Sequence, residues 1–328
     1  MVANLSMING EAEMMYTGER PWHGLGVALD KPATAEEAIA AAHLGWLVET
    51  APVAAKIGDT IVDCPGARAT YRADNNSILG VVGDRYTPVQ NTEAFQFFDG
   101  VVGEGAAIYH TAGALRGGAL VWILAKLPGE IRIKKTDDIT EKFLLLCNSH
   151  NATTRLIMCF TPIRVVCQNT LIAGLGVGED KVAILHTASV HEKAENAARR
   201  LIEKTTKYYE TFEEQANFLA ENDFLSKEVD EYLDTMFPSD ETTGEYSGRT
   251  KNTRDKIKEL LESSTNSMEG IKGSYWSLYN SVAEWVDHHR TSRGQIEDPS
   301  IRLQSIWLGS SAALKNKAFK QALVLANS

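Results

Sequence analysis

The pattern of hydrophobic and polar positions changes from helix-like to strand-like early in the chain. Residues 34–44 form a predicted helix, because Thr34 followed three residues later by Glu37 makes a capping box. Gly45 marks the end of this helix. Beyond it, runs of β-branched and aromatic residues predict strands over 46–53, 67–72 and 78–82. The turn sequence Asp-Asn-Asn-Ser at 74–77 predicts that the last two strands form a hairpin.

A second group of strand-like segments follows a short predicted helix over 92–101, in which Phe95 and Phe98 have helical spacing. These segments are short, and turns that contain Gly or Asp separate them. Consecutive short strands with short connections favour antiparallel pairing. We therefore expect strands over 107–111, 119–127, 131–134, 143–147, 156–161 and 182–186. A helix that ends at glycines is expected over 165–175, before the last of these strands.

Beyond residue 189 the pattern becomes that of long amphipathic helices, expected over 191–221, 226–237, 252–263, 275–290 and 311–327. Strands first and helices afterwards are typical of an α+β fold. The sequence thus predicts an antiparallel β-sheet core with short helices in the first half, followed by an α-helical C-terminal region. We expect an α+β domain over 1–188 that carries the motifs described below. The helical region, 189–328, would pack on it or mediate oligomerisation.

Composition and charge narrow the class of protein. The 328 residues carry a formal net charge of −10, so phosphate contacts would have to come from a local cluster of cations. No apolar run approaches the ~18 residues that a membrane span needs, and the N-terminus has no secretory signal. The four cysteines never form a Cys-x-x-Cys pair, which favours buried apolar roles. We expect a cytoplasmic protein with no membrane partner.

Four short segments combine Gly and Arg with amide or hydroxyl side chains, and they cover residues 18–26, 82–91, 111–118 and 164–170. In the first, glycines would let a ligand approach the backbone, while Trp22 and His23 offer a stacking face and a polar tip. In the second, Arg85 and Tyr86 are residue types that contact phosphates and bases. Both segments also have a structural interpretation. The first would be an N-terminal arm that Trp22 anchors to the sheet, and the second would be a turn in which Asn91 is the N-cap of the following helix.

The remaining candidates are cations at turns, on a strand face and at a helix start. Arg116 lies with two glycines in a tight hairpin, where a guanidinium and backbone amides would reach one phosphate. Alternation places Arg132 and Lys134 on one face of a strand. Arg164 precedes a predicted helix N-terminus, which favours an anion. Solvated surface charge, or capping by buried amides, is the structural alternative. The nucleic-acid-binding candidates are Trp22, His23, Arg85, Tyr86, Arg116, Lys126, Arg132, Lys134, Arg155, Arg164, Gln168 and Asn169.

Common catalytic and nucleotide-binding motifs are missing from the sequence. The glycine-rich stretches at 24–26 and 174–178 do not lie between a strand and a helix, as a dinucleotide-binding fingerprint requires. No Walker lysine motif occurs, and no nucleophile motif accompanies His150. The adjacent His288 and His289 would point about 100° apart on a helix, which disfavours joint metal ligation. We predict no cofactor, no metal and no catalytic residue, and a binding protein is favoured over an enzyme.

Taken in order, the four segments resemble the phage- and plasmid-borne proteins grouped as domain of unknown function 932. The resemblance extends from about residue 11 to about residue 191. The family has no settled activity, and its phage and plasmid context implies a role in DNA metabolism. A sheet followed by packed helices is also distantly similar in architecture to Rad52-type annealing proteins, which form rings and need no nucleotide.

These observations together predict a single-stranded nucleic-acid-binding protein that promotes strand annealing or recombination without ATP, in the cytoplasm of a bacterial host. Single-stranded DNA is the expected partner, and a homo-oligomer is expected because one small groove holds few nucleotides. One alternative is a structural or partner-binding phage accessory protein, whose motifs would pack against one another. A further alternative is an enzyme or binder of a small phosphorylated ligand, with an enclosed pocket of converging polar groups.

Overall fold

The computed structural model describes residues 5–18, 25–31, 33–102, 108–164, 169–170, 181–290, 305–307 and 309–328. The chain divides into two compact units, each assembled from separate stretches of sequence. The first unit comprises Met1–Pro128, Phe143–Phe160 and Gly178–Thr205. The second comprises Gly129–Lys142, Thr161–Val177 and Thr206–Ser328.

The described residues contain strands and helices in the following order. The strands are β1 (Met7–Ile8), β2 (Glu11–Ala12), β3 (Met14–Thr17), β4 (Val27–Leu29), β5 (Val48–Ile57), β6 (Thr60–Arg72), β7 (Ile78–Gly83), β8 (Ile108–Leu115), β9 (Leu120–Arg132), β10 (Ile139–Ser149), β11 (Leu156–Phe160), β12 (Ile163–Arg164), β13 (Asn169–Thr170) and β14 (Lys181–Ile184). The α-helices are α1 (Ala35–Ala41), α2 (Asn91–Val102), α3 (Val190–Glu221), α4 (Ser226–Met236), α5 (Gly248–Leu261), α6 (Tyr275–Glu284) and α7 (Ser310–Ala326).

The first unit contains three sheets, of which the smallest is the antiparallel pair β1–β2. In the largest one, neighbouring strands follow the order β4-β3-β8-β9-β10, and β11 pairs with both β10 and β14. The pairs β3–β8, β8–β9, β10–β11 and β11–β14 are antiparallel, whereas β3 and β4 run parallel. Strands β5, β6 and β7 form a separate three-stranded antiparallel sheet. Large apolar side chains such as Phe95, Phe98 and Trp122 are buried in this unit.

The second unit is mainly helical. Within it α6 packs against α5 and α7, and β12 pairs with residues 140–141 at the start of β10. Its core includes two buried polar contacts. The Trp276 indole N–H donates to Asp138 at 2.7 Å, and the Lys315 ammonium donates to Asp287 at 2.7 Å. No helix among the described residues is long and apolar enough to cross a membrane.

The predicted α+β class is confirmed, with antiparallel sheets mostly in the first two thirds and helices toward the C-terminus. The capping box of α1 is present, since Thr34 Oγ1 accepts from the Glu37 N–H and the Glu37 carboxylate accepts from the Thr34 N–H. This helix ends before 44, because His43 adopts the left-handed region at φ 54°. Asn91 is not the N-cap of α2 but its first residue, and its buried side chain bonds to other elements.

Three sequence predictions are wrong for physical reasons. The end of the β5–β6 hairpin, residues 54–57 and 60–66, was not predicted as strand. Most of its residues are exposed, and its sequence does not alternate between apolar and polar residues. Arg132 and Lys134 do not share a strand face. Strand β9 ends at Arg132, and Lys134 lies in the 3₁₀ turn Ile133–Lys135 with φ 48°.

The predicted helix start at Arg164 is also wrong, because the backbones of Arg164 and Asn169 pair as the neighbouring antiparallel strands β12 and β13. The anion site expected at a helix N-terminus there has no basis in these two strands. The rest of the predicted helix, including Gln168, lies outside the described residues apart from Thr170.

We expect Gly80→Ala to destabilise the first unit by about 1–3 kcal/mol, as overpacking does. A Cβ at Gly80 would lie 2.5 Å from Asn151 Cβ and 2.9 Å from Asn151 Cα. The matched control is Gly45→Ala, whose Cβ would meet its nearest neighbour, Ile39, at 4.0 Å. Urea denaturation of both variants measures the difference. Equal stability of the two would show that β7 and Asn151 are not in close contact.

Candidate functional site

An open pocket of about 630 Å³ lies in the first unit, where three loops meet. The loops contribute residues 83–86 after β7, residues 152–155 between β10 and β11, and residues 185–187 after β14. Sequence analysis singled out three of the lining residues, Arg85, Tyr86 and Arg155. The structure therefore brings together candidates that are 70 positions apart in the chain. We call this the Arg85–Arg155 pocket.

The two arginines of the pocket are exposed and carry no ion pair or hydrogen bond among the described residues. Arginine guanidiniums bind carboxylate and phosphate through several N–H donors in a fixed geometry. Several backbone amides of the surrounding loops are already bonded, for example Thr154 N–H to Ser149 Oγ and Thr87 N–H to the His186 carbonyl. The guanidiniums are the charged donors that this pocket offers to an anion.

The loop that carries Arg85 is fixed by Tyr86. Asp84 and Arg85 are the central residues of a tight turn, closed by the Tyr86 N–H donating to the Gly83 carbonyl at 3.0 Å. The Tyr86 hydroxyl donates to the Ser149 carbonyl at 2.7 Å, which ties this loop to the end of β10. The Tyr86 ring stacks on His186 with centroids 4.9 Å apart, so that one face of the ring is covered.

The loop that carries Arg155 is fixed by side chains of its own. Asn151 Oδ1 accepts from the N–H and the hydroxyl of Thr153, at 3.1 and 2.6 Å, and from the Ser149 hydroxyl at 3.0 Å. Ala152 adopts φ 56°, which turns the chain back toward β11. Close packing of Asn151 against Gly80 places this loop on β7. Both arginines thus lie on loops that side-chain hydrogen bonds hold in place.

A buried polar network lies beneath the pocket loops. The Asn148 amide donates to the Val89 carbonyl at 2.9 Å, and the Thr70 hydroxyl donates to the His150 carbonyl at 2.6 Å. Asn91 donates from Nδ2 to the Leu44 carbonyl, so its Oδ1 accepts from His150 Nε2 at 3.0 Å. These buried side chains bond to one another and to the backbone, and they hold the loops in place rather than contact a ligand.

The two histidines near the pocket are held in the neutral form. Burial, with smaller contributions from nearby His186 and Arg72, lowers the pKa of His150 to about 3. Burial also lowers the pKa of His186 to about 4, and neither of its ring nitrogens has a hydrogen-bond partner among the described residues. His150 is fully buried, so its side chain is not available as a catalytic base.

The pocket also contains one acidic residue among its described lining residues. Asp84 is exposed, and its carboxylate has no hydrogen bond or ion pair among the described residues. Sequence analysis did not select Asp84, His186 or Thr187 as candidate site residues. A carboxylate directly before the candidate Arg85 was the available signal for Asp84. No local signal pointed to 185–187, which reach the pocket by tertiary contacts.

A family model for domain of unknown function 932 matches residues 78–307 of the chain. The chain belongs to this family. The match contains both arginine-bearing loops of the pocket, and it includes three of the four segments from the sequence, with 18–26 lying before it. No curated protein and no solved structure matches the chain. The architectural similarity to Rad52-type proteins and the phage origin of the protein therefore stay predictions.

Other candidate residues of this family member lie away from the pocket lining. Arg116 is in the 3₁₀ turn Arg116–Gly118 between β8 and β9, where the Gly118 N–H already donates to Ser6 Oγ at 2.8 Å. Both Arg116 and Lys126 of β9 have interactions of their own. Arg132, in the second unit, pairs with Glu130 at 2.9 Å and Asp137 at 3.5 Å.

For several of the predicted nucleic-acid-binding residues the structure describes no side chain. Trp22, His23 and Gln168 lie outside the described residues, and for Arg164 and Asn169 the structure describes the backbone alone. Cys147 and Cys159 are buried and form no disulfide among the described residues, and burial raises the pKa of the Cys147 thiol. Among the described residues no group of three or more His, Cys, Asp or Glu is arranged to hold a metal ion.

Acidification from pH 7 to pH 5 is expected to destabilise the first unit. His150 and His186 stay neutral in the folded protein, whereas in the unfolded chain they gain protons below about pH 6.5. The free energy of unfolding therefore falls by about 1.4 kcal/mol per pH unit for each histidine, until the pH reaches their folded pKa values. Urea denaturation at a series of pH values measures this slope.

A substitution separates the contribution of one histidine. His186→Phe keeps a ring stacked on Tyr86 and removes the titrating group, so the slope below pH 6.5 should fall by about 1.4 kcal/mol per pH unit. His288→Gln, on an exposed position of the second unit, should leave the slope unchanged. A free energy of unfolding that does not change between pH 7 and pH 5 in the wild type would contradict the burial of both rings.

Proposed function

We propose that this protein binds single-stranded nucleic acid, with a backbone phosphate held by Arg85 and Arg155. The observation that supports this proposal is the pair of exposed, unpartnered guanidiniums in one pocket of a chain whose formal net charge is −10. Two such guanidiniums in one pocket concentrate positive charge locally, although the chain as a whole is acidic. Phosphate is an anion that arginines bind through paired N–H donors.

The shape of the pocket supports a nucleotide rather than a bare anion. Its volume of about 630 Å³ leaves room beyond a phosphate group. Leu185, which is 58% exposed, and the half-buried Tyr86 ring provide apolar surface for a base or sugar. Bases of a duplex are stacked inside the helix and do not enter such a pocket, so a single strand is the favoured form.

The annealing activity and the homo-oligomer follow from this proposal as further steps. One pocket of this size holds about one nucleotide unit, which gives weak binding to a strand. Repeating the pocket in a homo-oligomer would raise the affinity through effective concentration and would keep bases accessible for pairing. The predicted annealing or recombination role therefore depends on an oligomer, whose state light scattering would measure.

A second candidate function is binding of a small phosphorylated ligand. The pocket is formed by three converging loops, and its volume lies within the range of about 300–1,000 Å³ that is usual for small-molecule sites. Both candidates share the same phosphate contacts. They differ in whether the ligand extends beyond the pocket. The dependence of affinity on the length of the oligonucleotide therefore distinguishes the two candidate functions.

The test is a fluorescence-anisotropy titration of labelled single-stranded oligonucleotides across a salt series. We expect Arg85→Ala with Arg155→Ala to weaken binding by at least about tenfold, because a hydrogen bond to a charged group contributes about 1.5–3 kcal/mol. The slope of log affinity against log salt should fall by about 1.4, from two lost phosphate contacts on a single strand. Arg199→Ala with Arg200→Ala is the matched control, since both arginines are exposed on α3 outside the pocket lining.

Three outcomes have distinct meanings. Equal losses in the pocket variant and in the α3 control would mean that binding follows net charge, which contradicts the proposed site. Binding to mononucleotides as tight as to 12-mers would favour the small-ligand function. No binding by the folded wild-type protein at low salt would overturn the nucleic-acid proposal.

A further inference from the structure

Asp84 occupies a position that phosphate binding alone does not explain. It is the first central residue of the turn from Gly83 to Tyr86, directly before Arg85, and it lines the same pocket. Its carboxylate is exposed and has no hydrogen bond or ion pair among the described residues, and Arg85 and Arg155 do not neutralise it. An exposed, unpaired carboxylate therefore belongs to a residue that lines the space in which the proposed ligand would lie.

A carboxylate accepts hydrogen bonds and repels anions, so Asp84 lowers the affinity of the pocket for a bare phosphate. It raises the affinity only for a ligand that presents a hydrogen-bond donor beside its phosphate. A site with two guanidiniums and one carboxylate thus matches a ligand that carries both kinds of group. Arg85 and Asp84 are adjacent in one tight turn, so the donor lies close to the phosphate along the ligand.

In a nucleotide the donors closest to the phosphate are sugar hydroxyls, whereas base amines lie farther away. In a strand the 3′ oxygen is used in the backbone, so the 2′-hydroxyl is the free sugar donor, and it is present in RNA and absent from DNA. We infer that Asp84 accepts a hydrogen bond from the 2′-hydroxyl and makes the Arg85–Arg155 pocket selective for single-stranded RNA over DNA. This inference rests on the proposed nucleic-acid function.

The test compares three labelled 12-mers of one base composition, an oligouridylate, its 2′-deoxy form and its 2′-O-methyl form. In the wild type we expect the oligouridylate to bind about tenfold more tightly than the other two, the effect of one hydrogen bond to a charged group. The 2′-O-methyl probe keeps an RNA-like sugar but lacks the donor. It separates hydrogen bonding from backbone shape, and it should behave like the deoxy form.

Substitutions at Asp84 then assign the preference to its carboxylate. In Asp84→Ala the preference should disappear, with weaker oligouridylate binding and tighter binding of the deoxy probe, because the repulsion of phosphate is removed. Asp84→Asn should keep part of the preference, because its amide oxygen still accepts a hydrogen bond. Asp59→Ala is the control, since Asp59 is an exposed turn aspartate between β5 and β6 and does not line the pocket. It should leave the preference unchanged.

Failure of this inference is distinguishable from failure of the proposed function. Equal binding of all three probes, abolished by Arg85→Ala with Arg155→Ala, would overturn the role of Asp84 and leave the nucleic-acid site intact. A preference for RNA that persists in Asp84→Ala would also overturn it. Absence of binding to every probe by the folded wild type would overturn both.

Discussion

A buried ion pair connects the three-stranded sheet of the first unit to its largest sheet. Arg72, the last residue of β6, donates to both carboxylate oxygens of Glu13, immediately before β3, at 2.9 and 2.8 Å. The two side chains are 3% and 0% exposed, so removal of Arg72 would leave the buried Glu13 carboxylate without this partner, at a cost of about 3–5 kcal/mol. Arg72 also donates to Asp74 at 2.8 Å, and Trp46 covers its guanidinium at 4.3 Å. The Arg72–Glu13 pair therefore links the three-stranded sheet to the largest one.

The pocket depends on this arrangement, because each of its arginines is presented from a different sheet. Arg85 follows β7 of the small sheet, and Arg155 precedes β11 of the large one. Thr70 and Gly80 bring the small sheet onto the loop at 150–151, and Tyr86 bonds to Ser149 across the same boundary. The loops are therefore fixed before any ligand arrives, while the guanidiniums stay unpaired. For the proposed anion site, fixed loops lower the entropy lost on binding to that of the arginine side chains themselves.

Local signals in the sequence predicted many of the helices and strands but not the tertiary contacts between them. The Thr34–Glu37 capping box and the helices after 189 could be predicted, because their determinants lie within a few residues. Arg85, Tyr86 and Arg155 could be selected by residue type, but their convergence depends on contacts such as Tyr86 to Ser149, 63 positions apart. Lys134 was misplaced because a left-handed turn interrupts the alternation that a strand would show. The two compact units combine distant stretches of chain, since β9, β10 and α3 each contribute residues to both.

The central claim is that single-stranded nucleic acid occupies the Arg85–Arg155 pocket. Photocrosslinking of an oligonucleotide that contains 4-thiouridine, followed by mass spectrometry of the crosslinked peptides, tests it most directly. The account predicts crosslinks concentrated in peptides that contain residues 83–87, 152–155 and 185–187, and their loss when unlabelled strand is added in excess. Crosslinks confined to other surfaces, such as the exposed β5–β6 hairpin or α5, would contradict the account.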